Sequence, residues 1–448
     1  MKKAILVYGA GISGLGAVEL LLRHESRVIL YGDREFAVDE RLRSAIEKNG
    51  GRIVVGGGEA LLSQVKEVVL SPGISIYNPL VLAAAGRDIS VISEAELAYR
   101  FFKGHLLAVT GTNGKTTTTT IIGEMLKAMS PASKVGGNIG IALSLQVQDM
   151  PKDAWLAAEI SSFQLEAVKS FKAEIAVILN ITPDHLDRHR TMEEYINVKH
   201  NVFANQDPRD VAVLNFDDPI IRTWGAGLRS KICWFSRKEV LPQGVYLADG
   251  RFTIAADGKK IDVCHRDELQ IFGGHNEENV LAAIAACYYA GVDVKQMRAV
   301  LRSFKGVEHR LEYVADIDGV PYYNDSKATN PDSTIKALEA FKGDLVLIAG
   351  GRDKNTPLED MMTLVKQKVS TMILLGEATE RFEQAAKAAG VKDIRIVKSM
   401  REAVALAYAI ARKPQAVVLS PACSSFDMFA NFPARGRCFK ELVLQLKK

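Results

Sequence analysis

The chain is poor in cysteine. Five occur in 448 residues (Cys233, Cys264, Cys287, Cys423 and Cys438), scattered, odd in number and without a Cys-x-x-Cys pair. That pattern excludes a disulfide framework and a cysteine-built zinc site, and it leaves buried reduced thiols as the plain reading, with a nucleophilic role open only for Cys423. Long apolar runs are also missing. The start, MKKAILVYGAGISG, resembles a signal segment for a few residues, but Gly9, Gly11, Gly14 and Gly16 interrupt it. No stretch approaches the roughly 18 apolar residues of a membrane span, so a cytoplasmic protein without membrane insertion is expected. There is no basic block. The 57 Lys and Arg exceed the 53 Asp and Glu by only 4, spread along the chain, which suits small anionic ligands and gives no reason to expect nucleic acid. Short-period repeats and low-complexity tracts are absent. What remains is an ordinary globular composition, 48% hydrophobic and 25% charged, at a length that suggests about three domains.

The most informative stretch is Leu106 to Thr117, LLAVTGTNGKTT. An apolar run leads into a glycine-bearing turn, then Lys-Thr-Thr, then the apolar-periodic Ile121, Ile122, Met125 and Leu126: strand, loop, helix start. Backbone N–H groups in such a loop lack intrahelical partners and face an anion, with the helix dipole adding positive potential. Lys115 can neutralise β- and γ-phosphates and Thr116 can hold Mg²⁺. Val109 occupies the position where the general G-x-x-x-x-G-K-[ST] pattern has its first glycine. The threonine run 116–120 falls on the helix start, where hydroxyls cap free N–H groups.

Upstream, Ala4–Tyr8 reads as a strand, GAGISG (9–14) as a turn, a helix continues to about Arg23, and a second strand, 27–31, ends near Asp33. This is a dinucleotide-type fingerprint, but the segment is too short for a complete six-stranded dinucleotide fold, and a nucleotide-sugar or mononucleotide site fits its size. Further strands are expected at 52–55, 67–70, 154–159, 175–180, 210–214, 345–349, 372–375, 394–397 and 416–419. Continuous apolar strands alternating with helices mean a mostly parallel α/β sheet. The expected division is 1–94, 95–304 and 305–448.

Several polar residues follow these strands. Glu159 closes one and is placed for Mg²⁺, unless it is a solvated loop carboxylate. Asp184, His185 and Asp187 cluster after another. His185 and His189 are four apart, but Leu186 stands where the zinc metalloprotease motif needs Glu, so a hard-metal, phosphate-facing cluster is the better reading. Thr191 to Glu194 forms a capping box that starts the helix carrying Lys199, which by itself reads as a snorkelling lysine. Asn276 and Asn279 share a helix face and can read an adenine edge, or Asn276 can simply cap. In the third segment, His309-Arg310, NDSKATN (324–330), GGRDK (350–354) and SPACSSFD (420–427) should gather on one sheet edge, offering Arg310, Lys327 and Lys354 to carboxylates or phosphates, or lying in plain surface loops.

Taken together, GAGISG, SPGI (71–74), TGTNGKTT, GGNIG (136–140), EISSFQL (159–165), NITPDHLDRH (180–189), the Lys199 helix, GGHNEEN (273–279), EHRLE (308–312), NDSKATN, GGRDK and SPACSSFDMFANF (420–432) resemble the Mur ligases of peptidoglycan synthesis, in order and over the whole chain. NDSKATN and SPACSSFD point, within that family, to the member that adds D-glutamate to UDP-N-acetylmuramoyl-L-alanine; the Asp-Asn-Pro-Arg motif of the diaminopimelate- and lysine-adding relatives is absent. The family's short P-loop explains Val109.

The resemblance implies three α/β domains: a UDP-binding Rossmann-like domain, a central P-loop ATPase and a dinucleotide-fold-like C-terminal domain. It implies ATP, two Mg²⁺ ions and a CO₂-derived carbamate on Lys199, with the catalytic roles falling to Lys115, His185 and Lys199. Gly111, Thr112, Asn113, Gly114, Lys115, Thr116, Thr117, Asn276, Arg310 and Asp325 would meet ATP. Thr116, Glu159, His185 and carbamylated Lys199 would hold metal, with Asp184 in support. Ile12, Ser13, Asp33, Gly73 and Asn138 would face the UDP substrate, and Lys327, Thr329, Lys354, Ser425 and Phe432 would surround D-glutamate. A monomer is expected. The rival readings are a folylpolyglutamate synthetase, which residues 1–94 disfavour, a nucleotide switch that binds without ligating, and an NAD-dependent oxidoreductase.

Overall fold

Five short strands make the first sheet: β1 (Ala4–Tyr8), β2 (Val28–Gly32), β3 (Arg52–Val55), β4 (Val65–Leu70) and β5 (Ser90–Ser93). They pair in parallel in the order β3-β2-β1-β4-β5. β1 and β2 are wholly buried, which is why they read as unbroken apolar runs, while β4 is buried only at Val65 and from Val68 to Leu70. The chain is described here by a computed structural model covering residues 3–446, the side chain of Asp187 excepted. The sheet stops at five strands, consistent with the shortness of the segment. The helix Ile12–Arg23 buries Gly14, Ala17, Val18, Leu20 and Leu21 against it. Gly14 is required there: a Cβ at that position would lie 1.8 Å from the Gly9 carbonyl oxygen.

The second sheet has nine strands: β6 (His105–Thr110), β7 (Lys134–Gly137), β8 (Trp155–Glu159), β9 (Ile175–Ile178), β10 (Val211–Asn215), β11 (Lys231–Ser236), β12 (Gly244–Ala248), β13 (Arg251–Ala256) and β14 (Lys259–His265). Their order is β14-β13-β12-β11-β10-β9-β6-β8-β7. β7 through β12 are joined by parallel pairings, and β13 and β14 close one edge as an antiparallel meander. After β6 the chain fills one side of the sheet with β7 and β8, then crosses to β9 on the other. The reversal leaves a crevice at the carboxyl ends of β6 and β9, where open α/β sheets bind ligands.

The third sheet comprises β15 (Glu312–Ile317), β16 (Val320–Asn324), β17 (Leu345–Ala349), β18 (Val369–Leu374), β19 (Ile394–Ile396) and β20 (Ala416–Leu419), ordered β15-β16-β20-β17-β18-β19. All neighbours are parallel except β15 with β16.

Two compact units result. One comprises the chain up to Leu269 with Glu277–Ser303, and so holds the first two sheets. The other comprises Gln270–Asn276 and the chain from Phe304 onward. Phe272 explains why the short segment belongs with the later one: its ring packs edge-on against Tyr323 and Phe341, at 5.6 Å from each. Among the described residues no helix is long and apolar enough to cross a membrane. All five cysteines are free, and burial pushes the Cys423 thiol up to about 12, which removes it as a nucleophile.

Candidate active site

β6 delivers its chain into the loop 111–114, and the helix Lys115–Met129 starts at once. Gly114 stands at φ +84°, and a Cβ there would fall 2.2 Å from Asn279 Oδ1. The loop is held from behind by the segment after β9. Asn180 accepts from the Asn113 N–H at 2.8 Å through Oδ1 and donates to the Asn113 carbonyl at 3.2 Å through Nδ2. Thr112 accepts from the Thr182 N–H at 3.0 Å, and its hydroxyl lies 3.1 Å from the Tyr195 hydroxyl. Its side chain is therefore a strut, and only its backbone is available to a phosphate.

Two lysines converge on one carbonyl. Lys115 Nζ donates to the Gly111 and Thr112 carbonyl oxygens at 2.8 and 2.7 Å. Lys199 Nζ donates to the same Gly111 carbonyl at 2.8 Å and lies 4.7 Å from the centre of the Tyr195 ring. Lys199 is 1% exposed, so the snorkelling reading fails. Burial, reinforced by Lys115, holds its amine well below the usual lysine range, against the opposing pull of Asp184 and Glu159. The helix that presents it, Met192–His200, starts where expected, but only half of the expected capping box forms: Thr191 Oγ1 accepts from the Glu194 N–H at 3.1 Å, while the Glu194 carboxylate accepts from the Tyr77 hydroxyl.

Glu159 is 2% exposed at the end of β8, so it is not a solvated loop carboxylate. Its Oε1 accepts from Asn138 Nδ2 at 2.8 Å, while its Oε2 is buried without a hydrogen-bond partner. A buried carboxylate oxygen left unpaired is costly unless a cation meets it. Asn138, expected at the UDP substrate, thus sits against Glu159. His185, at φ +54°, is half-exposed, with Nε2 3.6 Å from Asp184 Oδ2. His189 does not join it. It is buried, with Nε2 2.9 Å from Ser162 Oγ and its ring tilted against Phe163 and Tyr195, and burial pushes it down to about 4. Asp187, grouped with them in the sequence, has its side chain outside the described residues.

In the first sheet, Ile12 and Ser13 begin the helix after the glycine turn, Ile12 being 72% exposed. Asp33 follows β2 and accepts from the Tyr8 and Tyr31 hydroxyls at 2.5 and 2.9 Å. Gly73 lies in the loop after β4. That loop is tied to the glycine turn by Ser71, whose Oγ donates to the Gly9 carbonyl at 2.9 Å.

The loops after β16, β17 and β20 meet on one edge of the third sheet, as expected. Asp325 accepts from the Ser420 hydroxyl at 2.7 Å and the Leu311 N–H at 3.1 Å, and burial raises its carboxyl to about 7. Lys327 N–H donates to the His309 carbonyl at 3.0 Å, with Nζ 5.7 Å from the Phe432 ring centre. Thr329 and Lys354 lie on the adjoining loops, Lys354 exposed, and Ser425 is buried. Asn276 is not a cap: it is inside the helix Gly274–Tyr289, and its Nδ2 donates to the Phe272 carbonyl at 2.9 Å. The cluster Glu308, His309 and Glu312 has metal-ligand spacing, but Lys440 Nζ already bridges the two carboxylates at 3.0 and 2.5 Å.

Sequence reasoning missed Asn180, Tyr195 and Arg435. Arg435 is 2% exposed; it donates to the Ser326 hydroxyl and carbonyl at 3.0 and 2.7 Å and to the Cys423 and Ser424 carbonyls at 3.1 and 3.2 Å. It staples NDSKATN to SPACSS. The signal was an arginine in register with Phe439, Leu442 and Val443 on the buried face of the helix Phe432–Gln445.

Comparison with known proteins agrees along the whole length. The MurD-like N-terminal domain of Mur ligases matches residues 3–93, the Mur ligase middle domain 109–287, and the Mur ligase glutamate ligase domain 309–423. The chain belongs to the Mur ligase family. Among its relatives, UDP-N-acetylmuramoylalanine--D-glutamate ligase of Pelotomaculum thermopropionicum is 45% identical, covering 100% of this chain and 98% of the relative. The enzyme of the same name from Caldanaerobacter subterraneus subsp. tengcongensis is 43% identical, covering 100% and 99%. The three-domain Mur ligase fold is found in solved structures: UDP-N-acetylmuramate-alanine ligase MurC from Thermotoga maritima (TM-score 0.60, 20% identity, 100% of both chains) and MurF ligase from the same organism in complex with ADP (TM-score 0.58, 18% identity, 100% of this chain and 94% of the other).

Proposed function

We propose that this Mur ligase joins D-glutamate to UDP-N-acetylmuramoyl-L-alanine at the cost of ATP, as a cytoplasmic monomer with domains at 1–94, 95–304 and 305–448. One observation carries the chemistry: a P-loop lysine and a buried, low-pKa lysine share the Gly111 carbonyl beside the unpartnered Glu159 Oε2. The full-length identity to enzymes of that name supports the substrates.

A carboxylate is a poor acyl donor because its leaving group would be oxide. In this reading the L-alanyl carboxylate oxygen attacks the γ-phosphorus of ATP, the bond to the bridging oxygen of ADP breaks, and an acyl phosphate forms. The D-glutamate amine then adds to the carbonyl, loses a proton, and phosphate departs from the tetrahedral intermediate. Phosphoryl transfer needs neutralised charge and in-line placement more than covalent help. Lys115 and the N–H groups of 111–117 supply these, and Asn180 and Tyr195 keep the loop in shape. Asn276, Arg310 and Asp325 are assigned to adenosine. Ile12, Ser13, Asp33, Gly73 and Asn138 are assigned to the UDP substrate, and Lys327, Thr329, Lys354, Ser425 and Phe432 to the two carboxylates and body of D-glutamate.

The orphaned Glu159 oxygen fits Mg²⁺, and Thr116, His185 and Lys199 complete the donor set, with Asp184 in support. When bound, two such ions spread the charge of the transferred group and align the reactants. Lys199 enters that set as a carbamate. Its depressed pKa favours the neutral amine, whose lone pair forms the N–C bond to CO₂ with release of one proton, turning a cation into a carboxylate-like ligand.

The test is phosphate release with ATP, Mg²⁺ and UDP-N-acetylmuramoyl-L-alanine, with D-glutamate, L-glutamate, L-lysine, meso-diaminopimelate or L-alanine supplied separately. Release with D-glutamate alone is expected. Release with a different amino acid overturns the acceptor assignment, and release independent of any amino acid favours the nucleotide-switch reading.

A further inference from the structure

Arg188 carries no role in the reading above, yet its side chain is only 12% exposed and is held from several directions. Nε and Nη2 bind the Glu166 carboxylate at 3.0 and 2.5 Å. Nη1 donates to the Pro72 carbonyl at 3.0 Å and Nη2 to the Ile74 carbonyl at 2.8 Å. The guanidinium lies 4.3 Å from the centre of the Phe163 ring. Each partner has a place in the site. Phe163 and Glu166 belong to the segment that follows Glu159. Arg188 is three residues beyond His185. Pro72 and Ile74 flank Gly73 in the loop after β4, which Ser71 ties to the glycine turn of the first sheet.

A second clasp acts on the same loop region. The Arg190 guanidinium lies 3.5 Å over the Tyr77 ring, and the Tyr77 hydroxyl donates to Glu194, on the same helix as Lys199.

We propose that Arg188 is a positioning residue that sets the spacing between the two ends of the UDP-linked substrate; this rests on the ligase reading above. Gly73 in that loop is among the residues assigned to the UDP-linked substrate, and the substrate's carboxylate end must reach Lys115 and Lys199. A planar guanidinium bonded to two loop carbonyls and to the Glu166 carboxylate fixes that loop in translation and rotation relative to His185, which a single-point ammonium cannot do. It reads backbone rather than side chains, so the loop's path is set whatever residues it carries. It also covers the negative ends of the two carbonyls that flank Gly73, lowering the repulsion an anionic substrate would meet there.

Removing Arg188 alone would strand a buried carboxylate, so the informative variant is Arg188→Met with Glu166→Gln, which deletes both members of the pair. Steady-state kinetics for each substrate are run with thermal melts. The expected result is a rise of about tenfold or more in KM for UDP-N-acetylmuramoyl-L-alanine, with KM for ATP and D-glutamate changed less than about threefold. Preference for that substrate over UDP-N-acetylmuramate as a competitor should fall by a similar factor, because the spacing no longer discriminates length. If the double variant does not fold, Arg188→Lys carries the same test, keeping the charge opposite Glu166 without the fork. An unchanged KM for the UDP substrate overturns the proposal. So does a parallel rise in all three KM values with a fall in Tm, the mark of general loosening. Calorimetric titration of the unmodified protein with UDP-N-acetylmuramoyl-L-alanine separates the two levels: no saturable binding there overturns the ligase reading, and the positioning role with it.

Discussion

The polar cluster of the central sheet and that of the C-terminal sheet are built on opposite plans. Around the P-loop, buried charge is left without a full set of partners: Lys199 has burial and a neighbouring cation working against its charge, and Glu159 Oε2 has no hydrogen bond. In the C-terminal cluster the buried charged groups are better partnered, although His309 Nε2 is buried without a hydrogen bond. Arg435 spends four donors on Ser326, Cys423 and Ser424, and both Asp325 oxygens accept hydrogen bonds. The first arrangement is costly and invites ions. The second is a rigid frame that presents surface residues such as Lys354.

Substitutions on the two sides test this difference. The largest effect is expected at the lysines. Lys115→Ala should lower kcat by about 10³-fold or more, equivalent to about 4 kcal/mol of transition-state stabilisation. Lys199→Ala should do the same and be partly restored by a short carboxylic acid. Near-normal turnover in either unrescued variant, measured by phosphate release, would remove the central cluster from the chemistry. Arg435→Met should instead act on stability, costing about 3 kcal/mol in denaturant unfolding by leaving buried carbonyls unpaired. A loss confined to kcat would mean that the C-terminal frame is itself reactive.

Asp325 gives a pH-dependent version of the same test. Its folded-state pKa is raised from 3.8 to about 7, so the folded protein binds the extra proton between those values. Stability from this group therefore falls as pH rises from about 4 to 7 and is level above. Asp325→Asn should flatten that slope, gaining of the order of 2 kcal/mol relative to the parent on going from pH 5 to pH 8. Equal slopes in chemical denaturation would show the carboxylate to be ionised already. The smallest effect is expected from Thr191→Ala, about 1 kcal/mol for a lost helix cap, with KM values little changed. A large kinetic effect there would mean that the cap, not burial, holds Lys199 in place.

Strands with continuous apolar sequence were legible with little error: the structure has Ala4–Tyr8, Arg52–Val55, Leu345–Ala349 and Ala416–Leu419 where the pattern placed them. The antiparallel meander Gly244–His265 and the hairpin Glu312–Asn324 were not, because strands with an exposed face mix Lys, Asp, Arg and Thr into short runs that neither period resolves. Lys199 is the sharpest case. Its helix and cap could be read from Thr191 and Glu194, but its position beside apolar residues gave only a snorkelling lysine, and its burial against Gly111, 88 positions away, arises from packing.

The local units were written into the chain: where glycine-bearing turns follow strands, where helices begin, and the parallel α/β class. They could be, because hydrophobic periodicity, glycine placement and capping are short-range. Which polar groups are paired and which are left bare was settled by the folded chain. It turned Thr112 and Asp325 inward as struts, set Lys199 beside Lys115, left Glu159 Oε2 without a partner and brought Arg188 to the Pro72 and Ile74 carbonyls. Such pairings depend on contacts between residues far apart in the chain and on the desolvation that accompanies them, and no local pattern encodes either.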